Sequence, residues 1–357
     1  PKALPKCLIY ESGLGQGTLL GWQNKVKKKG KEGEPTVLLL FYRSHLQSAN
    51  TSMFDELITI IEQQGLAGLP VASSALKDTA SLTVVNNLIT QTNVQLILNA
   101  TGFASHSVSR PDLSSERSTF NSPFEKPVVV LQLVLSGSTE DDWTEHSQGL
   151  RNRDLAMQVV LPEMDGRIAT RAVSFKSEDH YDDQAQVSII RYSLHRERAQ
   201  FVAELALRYC QLAHKPNNEK RIAMILANYP TKDGRIGNGV GLDTPNSARQ
   251  ILLAMKQAGY PVEDIPESGN GLIEALLTSV TNNPNTLHHL PCWQSLSIDT
   301  YKELFSTLPL TSQQAVIGQW GQPEQDIKYR QGRLMISGIR LGETFVGIQP
   351  ARGFNID

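Results

Sequence analysis

Hydrophobic positions in the first half of the chain form continuous apolar runs that alternate with segments of helical spacing. Residues 37–42 are such a run, and the polar residues that follow are typical of the exposed end of a buried parallel strand. Apolar residues recur at helical spacing between 54 and 61, and Gly65 then predicts the end of that helix. Further strands are predicted at residues 69–72, 94–98 and 127–135. This alternation predicts a doubly wound α/β sheet with helices on both faces.

Two stretches lack this alternation. Residues 101–125 are rich in Ser and Pro, which predicts a long mobile loop. Residues 1–35 combine a short apolar run, a glycine-rich stretch and the basic run 25–31, a mixture that favours a solvated leading segment or linker.

The same order of strand and helix recurs in the second half of the chain. Residues 222–227 are an apolar run, and a segment of helical spacing extends from Thr244 to Gly259. A Pro-Val pair follows each helix, at 70–71 and at 261–262. We therefore predict two Rossmann-like lobes, residues 36–198 and 219–357, which are joined by a connecting helix within 199–218. A ligand-binding cleft is expected between the lobes, at the carboxyl ends of their strands.

Composition and charge narrow the class of protein. The 34 Lys and Arg residues nearly balance the 36 Asp and Glu residues, so no overall field attracts nucleic acid or an anionic membrane. The three cysteines lie far apart, which argues against a disulfide framework and predicts reduced thiols in a cytoplasmic protein. No apolar run approaches the ~18–20 residues of a membrane span, and the first residues do not resemble a signal peptide.

The polar loop 227–245, between the second lobe's first strand and helix, is the longest candidate for a binding site. Its glycines at 237, 239 and 241 can bring backbone N–H groups to an anion or simply permit tight turns. Their GxGxG spacing differs from the GxGxxG of dinucleotide sites, which disfavours NAD. ATP binding is also disfavoured, because Gly30-Lys31 is followed by Glu32 and no GxxxxGK[ST] motif exists.

Two shorter segments contain residues suited to metal chemistry. Glu163, Asp165 and Arg167 surround a glycine, in either a simple surface turn or a site where a carboxylate is a general base or metal ligand. His45 follows the first predicted strand. A single histidine is commonly structural, but ligands gather at this edge of a sheet and imidazole suits first-row metals.

Four ordered motifs together resemble the CobN and magnesium chelatase H-subunit family. They occupy residues 39–46, 161–167, 227–245 and 346–357, and the similarity extends from about residue 36 to the end. The loop motif Asn-Tyr-Pro-x-Lys-Asp-Gly-Arg with Gly-Leu-Asp-Thr-Pro is closer to the cobalt branch of that family. Family subunits are several times longer, so the resemblance implies an internal fragment, and we expect part of the active site to lie beyond it.

The resemblance implies the large subunit of an aerobic cobaltochelatase. Such a subunit holds the tetrapyrrole and the metal while Co²⁺, as substrate, is inserted into hydrogenobyrinic acid a,c-diamide during cobalamin synthesis. ATP with Mg²⁺ would be hydrolysed by a separate pair of AAA-type ATPase subunits, in agreement with the missing P-loop motif in this chain. The resemblance therefore implies a corrin substrate and a complex of several subunits.

Metal insertion requires groups that hand over the ion and accept the protons of the inner ring nitrogens. On this sequence we assign that role to His45 and Glu163, as catalytic residues and metal ligands, with Asp165 in support. Corrin carboxylates require cationic or polar partners. The substrate-binding candidates are Arg43, Arg167, Asn228, Tyr229, Lys232, Asp233, Arg235, Asp243 and Arg352.

Three alternatives stay open at this point. The magnesium branch of the family would prefer protoporphyrin IX and Mg²⁺. A non-catalytic two-lobed binding protein would hold its ligand without any dependence on Glu163. A two-lobed nucleotide-sugar transferase would be protected by nucleotide rather than by tetrapyrrole on heating.

Overall fold

The structure is a computed structural model that describes residues 3–103, 123–147, 149–229 and 232–351. The chain divides into two compact units, Pro1–His214 and Lys215–Asp357. The division falls at the end of the helix Arg196–His214, which overlaps the predicted connecting segment 199–218. Each unit contains its own apolar core. The predicted α/β class is confirmed.

The first unit consists of seven strands and eight α-helices in its described residues. The strands are β1 (Cys7–Ile9), β2 (Thr36–Tyr42), β3 (Ala67–Ser73), β4 (Val94–Asn99), β5 (Val129–Leu135), β6 (Ile168–Asp182) and β7 (Val187–Leu194). The helices are α1 (Leu19–Lys28), α2 (Arg43–Gln47), α3 (Ser52–Gln63), α4 (Thr79–Gln91), α5 (Glu140–Glu145), α6 (Asn152–Leu155), α7 (Leu161–Glu163) and α8 (Arg196–His214). One π-helical turn, Ala156–Val160, connects α6 to α7.

These strands form one sheet in the order β1-β3-β2-β4-β5-β6-β7. Strands β3, β2, β4, β5 and β6 are parallel, whereas β1 and β7 pair antiparallel at the two edges. The order of the parallel strands reverses direction between β2 and β4. Such a switch point leaves a crevice at the carboxyl ends of the two strands, where doubly wound sheets bind ligands.

The continuous apolar run of β2 is explained by burial on both faces of the sheet. Because successive side chains of a strand point to opposite faces, Leu39 and Phe41 pack in the core with α3 and α8. Leu38 and Leu40 lie in the second core, together with side chains of α4. A strand covered on both faces has no polar alternation, and this is why the pattern of residues 37–42 predicted it correctly.

Residues 1–35, predicted as a leading segment or linker, instead belong to the first unit. Strand β1 pairs with β3 in the register Cys7 opposite Ser73, and the indole N–H of Trp22 in α1 donates to the carbonyl oxygen of Gly68 at 2.7 Å. A three-residue strand is too short to produce a recognisable pattern. Most of the predicted loop 101–125 lies outside the described residues.

In its described residues the second unit contains two sheets of three strands each and one sheet of two strands. Its strands are β8 (Ile222–Leu226), β9 (Asn238–Gly239), β10 (Leu242–Asp243), β11 (Gln294–Ser297), β12 (Tyr329–Arg330), β13 (Arg333–Ile336), β14 (Gly338–Leu341) and β15 (Thr344–Ile348). Its helices are α9 (Thr244–Gln257), α10 (Gly269–Leu277), α11 (Ile298–Ser306) and α12 (Leu310–Trp320). None of the helices in the described ranges of either unit combines the length and hydrophobicity needed to cross a bilayer.

One of the two three-stranded sheets has the order β14-β15-β8. It contains one parallel pair, β8 with β15. Helices α9 and α10 pack on it through Leu252, Leu272 and Leu276. The strand and helix order of the first unit recurs in the second unit only over β8 and α9. The pair at 261–262 forms no strand, since the carbonyl oxygen of Pro261 accepts from the N–H of Glu343 at 3.0 Å, at the turn that joins β14 to β15.

Candidate functional site

A cavity of about 350 Å³ lies at the carboxyl end of the first sheet, next to the switch point. Its wall includes side chains from the end of β2 and from α2, the segment after β4, the helical segment 152–163, and the β6–β7 hairpin. Tyr42 lines it and donates a hydrogen bond to the carbonyl oxygen of Gly102 at 2.9 Å. The cavity therefore occupies the place where this class of sheet binds ligands.

His45 lines this cavity from α2, which begins directly after β2. Its ring packs edge-on against Phe54 at 5.1 Å and against Tyr192 at 5.6 Å between ring centroids. Burial lowers the pKa of His45 from 6.5 to about 4, because the charged imidazolium loses its hydration. The ring is therefore neutral at pH 7, which is the form that binds a metal ion or accepts a proton.

The lowered pKa of His45 predicts an acid-sensitive contribution to stability. Above pH 6.5 both folded and unfolded chains keep this ring neutral, whereas between pH 6.5 and 4 the unfolded chain takes up the proton first. Stability therefore falls as the pH falls through this window. We expect His45→Gln to reduce that fall by about 2 kcal/mol, measured by denaturant unfolding at several pH values. His180→Gln, which alters an exposed imidazole on β6, is the matched control, and an equal change in both variants would contradict the assignment.

A buried ion pair lies near the cavity, next to Asn99 at the end of β4 and Gln132 in the middle of β5. Arg167 donates to the carboxylate of Asp165 at 2.7 Å, and both side chains are at most 2% exposed. The same guanidinium donates to the side-chain oxygen of Gln132 at 3.2 Å, and Asn99 donates to that oxygen at 2.7 Å. Burial lowers the pKa of Arg167 and the Asp165 carboxylate opposes this effect. In this structure Asp165 neutralises Arg167, and Arg167 also lines a neighbouring cavity of about 170 Å³.

Glu163 is not among the residues that line the His45 cavity. It is exposed at the end of α7 and does not line the neighbouring cavity of Arg167 either. Within the described residues, no group of three or more His, Cys, Asp or Glu side chains is close enough together to hold a metal ion. The role of Glu163 as a metal ligand stays a prediction, and His45 faces the cavity without it.

The predicted substrate-binding residue Arg43 contacts the backbone of the N-terminal segment. Arg43 donates to the carbonyl oxygens of Leu4 at 2.9 Å and Pro5 at 2.8 Å, so its guanidinium holds the N-terminal segment against α2. Arg352 lies outside the described residues.

The candidates in loop 227–245 belong to the second unit and form a separate group. Asp233 accepts hydrogen bonds from the Thr281 hydroxyl and the Asn283 amide, both at 2.8 Å. It lines a cavity of about 250 Å³ together with Lys232 and Asn283. The Asp243 carboxylate accepts from the backbone N–H of Asn246 at 3.1 Å and so caps the N-terminus of α9.

The remaining candidates of this loop differ in exposure. Tyr229 and Arg235 are exposed. Asn228 is buried directly after β8, and neither atom of its side-chain amide has a hydrogen-bond partner among the residues that the structure describes. A buried amide without partners costs about 1–3 kcal/mol. Asn228 is therefore the member of this loop whose surroundings best fit a binding role.

The sequence did not predict that Asp154 and Gln158 line the same cavity as His45. Asp154 accepts from the backbone N–H of Gly137 at 2.8 Å, and Gln158 bonds both backbone groups of Leu135, at 2.8 Å to the N–H and 2.7 Å to the carbonyl oxygen. These contacts dock the helical segment 152–163 on the end of β5. The spacing of four residues between Asp154 and Gln158 was the available signal.

The backbone beside this wall is also unusual. Phe103 has a positive φ of 62°, and its N–H donates at 2.9 Å to the carbonyl oxygen of Met157 in the π-helical turn. Such turns are frequent at functional sites because they redirect side chains within a helix. A side chain at Gly102 would place its Cβ 3.0 Å from the same Met157 oxygen, so the close approach of the two segments requires glycine.

Comparison with known proteins identifies the family. The sequence profile of the CobN/Magnesium Chelatase family matches residues 1–357. This chain belongs to that family. Cobaltochelatase subunits are among its most similar relatives, and they are considerably longer than this chain. The resemblance seen in the four motifs is thus confirmed over the full length.

The chain is 46% identical over 357 residues to the aerobic cobaltochelatase subunit CobN of Pseudomonas aeruginosa, covering 100% of the chain and 28% of that protein. It is 39% identical over 360 residues to CobN of Sinorhizobium sp, again with 100% and 28% covered. The solved catalytic subunit of cobaltochelatase from Mycobacterium tuberculosis is 29% identical, has a TM-score of 0.72, and is matched over 99% of this chain and 28% of that one. The chain therefore spans a little over a quarter of these relatives.

A magnesium-chelatase relative is less similar. The chloroplastic magnesium-chelatase subunit ChlH of Oryza sativa subsp. indica is 25% identical over 332 residues, which is 90% of this chain and 22% of that protein. The cobalt-branch similarity of the loop motif agrees with this difference in identity.

Proposed function

We propose that this chain is part of the large subunit of a cobaltochelatase, the subunit that holds the tetrapyrrole while Co²⁺ is inserted into it. The ring substrate is proposed to be hydrogenobyrinic acid a,c-diamide, and the process cobalamin synthesis in the cytoplasm. The single observation that supports this most strongly is the neutral His45 at the wall of the switch-point cavity, in a chain 46% identical to a CobN subunit.

His45 is proposed to act in two steps of metal insertion, binding of the ion and removal of protons. A divalent ion must lose bound water before it enters the ring, and the inner N–H groups must lose their protons. An imidazole that is neutral at pH 7 can bind the substrate ion and can later accept a proton. Because the pKa of His45 is lowered to about 4, the ring releases such a proton readily.

Glu163 is proposed as a second ligand and base. Its carboxylate is exposed at the end of α7, where a hydrated ion can reach it from solvent. Carboxylate oxygens suit divalent cations that still hold water, whereas imidazole nitrogen suits Co²⁺ once water has been lost. Asp165 is proposed to act indirectly, by fixing Arg167 behind the cavity.

ATP with Mg²⁺ is proposed to act on a partner and not on this chain. The sequence contains no GxxxxGK[ST] motif, so these residues do not supply a phosphate-binding loop of that kind. A pair of AAA-type ATPase subunits would supply the free energy for removing water from the ion and for releasing the product.

The magnesium branch is the second candidate. Its support is the family match, which includes both branches, and the 25% identity to ChlH over 90% of the chain. The higher identities of 46% and 39% to two CobN subunits favour cobalt. Preference for protoporphyrin IX over the corrin would reverse this choice.

Absorbance titration of the whole chain with hydrogenobyrinic acid a,c-diamide and with protoporphyrin IX tests the proposal. We expect the corrin to bind at least about tenfold more tightly, which corresponds to ~1.4 kcal/mol. In the assembled chelatase supplied with ATP, His45→Ala and Glu163→Ala are expected to slow uptake of Co²⁺ by the bound ring. His180→Ala, an exposed histidine on β6, is the control.

Absence of binding to either ring, in a chain shown to be folded by circular dichroism, would contradict the proposal that this part of the subunit holds the tetrapyrrole. Equal uptake of Co²⁺ by His45→Ala and His180→Ala would remove His45 from the proposed chemistry.

A further inference from the structure

The cavity that His45 lines is surrounded by an excess of positive charge. Among the lining residues that the structure describes, Arg151, Arg153 and Lys176 are cationic and Asp154 is the one carboxylate. Arg151 is partly neutralised, since it donates to Asp142 at 2.8 Å. His45 adds no charge at pH 7, because burial lowers its pKa to about 4.

Asp154 does not neutralise the other two cations. One of its carboxylate oxygens accepts from the backbone N–H of Gly137 at 2.8 Å, and the other accepts from the amide of Gln158 at 3.3 Å. Its charge thus holds the helical segment 152–163 on the end of β5. No salt bridge of Asp154 with Arg153 or Lys176 is found.

Lys176 and Arg153 make no ion pair with any described residue. Lys176 is half-buried on β6, where its backbone N–H donates to the carbonyl oxygen of Ser138 at 2.9 Å. Its ammonium has no anionic partner among the described residues. Arg153 is exposed at the same wall. Two cations that line one cavity repel each other, and an entering anion relieves that repulsion.

We propose that Lys176 and Arg153 form a carboxylate-binding subsite in the His45 cavity. The inference rests on the proposed function, in which the cavity receives a tetrapyrrole, and it adds the ligand group and the two residues that bind it. An arginine can pair with both oxygens of a carboxylate, and a lysine supplies a compact charge beside it. A side-chain carboxylate of the ring held there keeps the macrocycle next to the imidazole of His45.

The subsite is tested by removing the charge from each partner in turn. The whole chain is titrated with hydrogenobyrinic acid a,c-diamide and with the same corrin after methyl esterification. We expect the wild-type chain to bind the acid about 10- to 30-fold more tightly than the ester, as charge-assisted hydrogen bonds allow. Lys176→Met and Arg153→Met should each weaken binding of the acid and leave that of the ester unchanged.

Lys126→Met is the matched control, because Lys126 is exposed and precedes β5 at the opposite end of the sheet. Equal affinity of the wild-type chain for acid and ester would overturn the inference. So would a Lys176→Met variant that weakens both ligands to the same extent, since that result indicates a general effect on the cavity.

Calorimetric titration with citrate separates this inference from the proposed function. Citrate presents carboxylates without a ring, and we expect millimolar binding that Lys176→Met abolishes and Lys126→Met retains. Citrate binding without corrin binding would support the subsite and contradict the tetrapyrrole proposal. Failure of the wild-type chain to bind citrate, or citrate binding unchanged by Lys176→Met, would overturn the subsite.

Discussion

Asp165→Ala is expected to lower the free energy of unfolding of the first unit by about 3–5 kcal/mol, because it removes the buried carboxylate that accepts from the Arg167 guanidinium. The ion pair measures 2.7 Å, and its two side chains are 2% and 1% exposed. Guanidinium denaturation measures the change, and hydrogen exchange of peptides from β4 and β5 assigns it to the first unit.

Two further variants make this prediction specific. Asp142→Ala removes a pair of the same length, 2.8 Å to Arg151, whose side chains are 45% and 60% exposed. Because water screens an exposed pair, its loss should cost at most about 1 kcal/mol.

The double variant Asp165→Leu/Arg167→Met should recover much of the stability lost by Asp165→Ala, since both charges of the pair are removed. A stable Asp165→Ala chain that takes up no Co²⁺ would instead support the catalytic role predicted for Asp165.

The strands and helices that the sequence predicted are those whose burial follows a regular pattern. Strand β2 is apolar throughout because both faces of the sheet are covered, and α3 shows one apolar stripe toward the same core. The β6–β7 hairpin was not predicted. Its residues are largely half-buried or exposed, so neither a continuous apolar run nor a strict alternation marks it.

The part of the candidate site that the sequence could predict is the residue that directly follows a central strand. His45 follows a central parallel strand, and the carboxyl end of such a strand is where ligands bind. The partners of the other candidates could not be predicted, because they lie far away in sequence. Arg43 bonds carbonyl groups 38 and 39 residues earlier, and Asp233 bonds a hydroxyl 48 residues later.

The Asp165–Arg167 pair and the exposed Glu163 show a further limit of local patterns. All three residues lie within one short polar segment, which carries no apolar periodicity to distinguish its buried side chains from its exposed one. The tertiary contact of Arg167 with Gln132 in the middle of β5 decides which are buried. The same contact explains why a segment that reads as a surface turn contains a buried ion pair.

Phe54→Ala is expected to destabilise the first unit by about 3–5 kcal/mol and also to raise the pKa of His45. Phe54 is fully buried, stacks on Phe41 at 4.1 Å and meets the ring of His45 edge-on at 5.1 Å. Removal of its ring opens space beside the imidazole that water can enter. Hydration of the charged form should then move the pKa of His45 from about 4 toward 6.5, as measured by NMR titration.

Phe175→Ala is the matched control for this double effect. Phe175 is 2% exposed in a different apolar cluster, where its ring lies 5.2 Å from that of Trp143. We expect a comparable loss of stability, about 3–5 kcal/mol, with no change in the pKa of His45. An unchanged pKa of His45 in Phe54→Ala would show that Phe54 does not keep the imidazole dry, and the neutral state of His45 would then need a different physical cause.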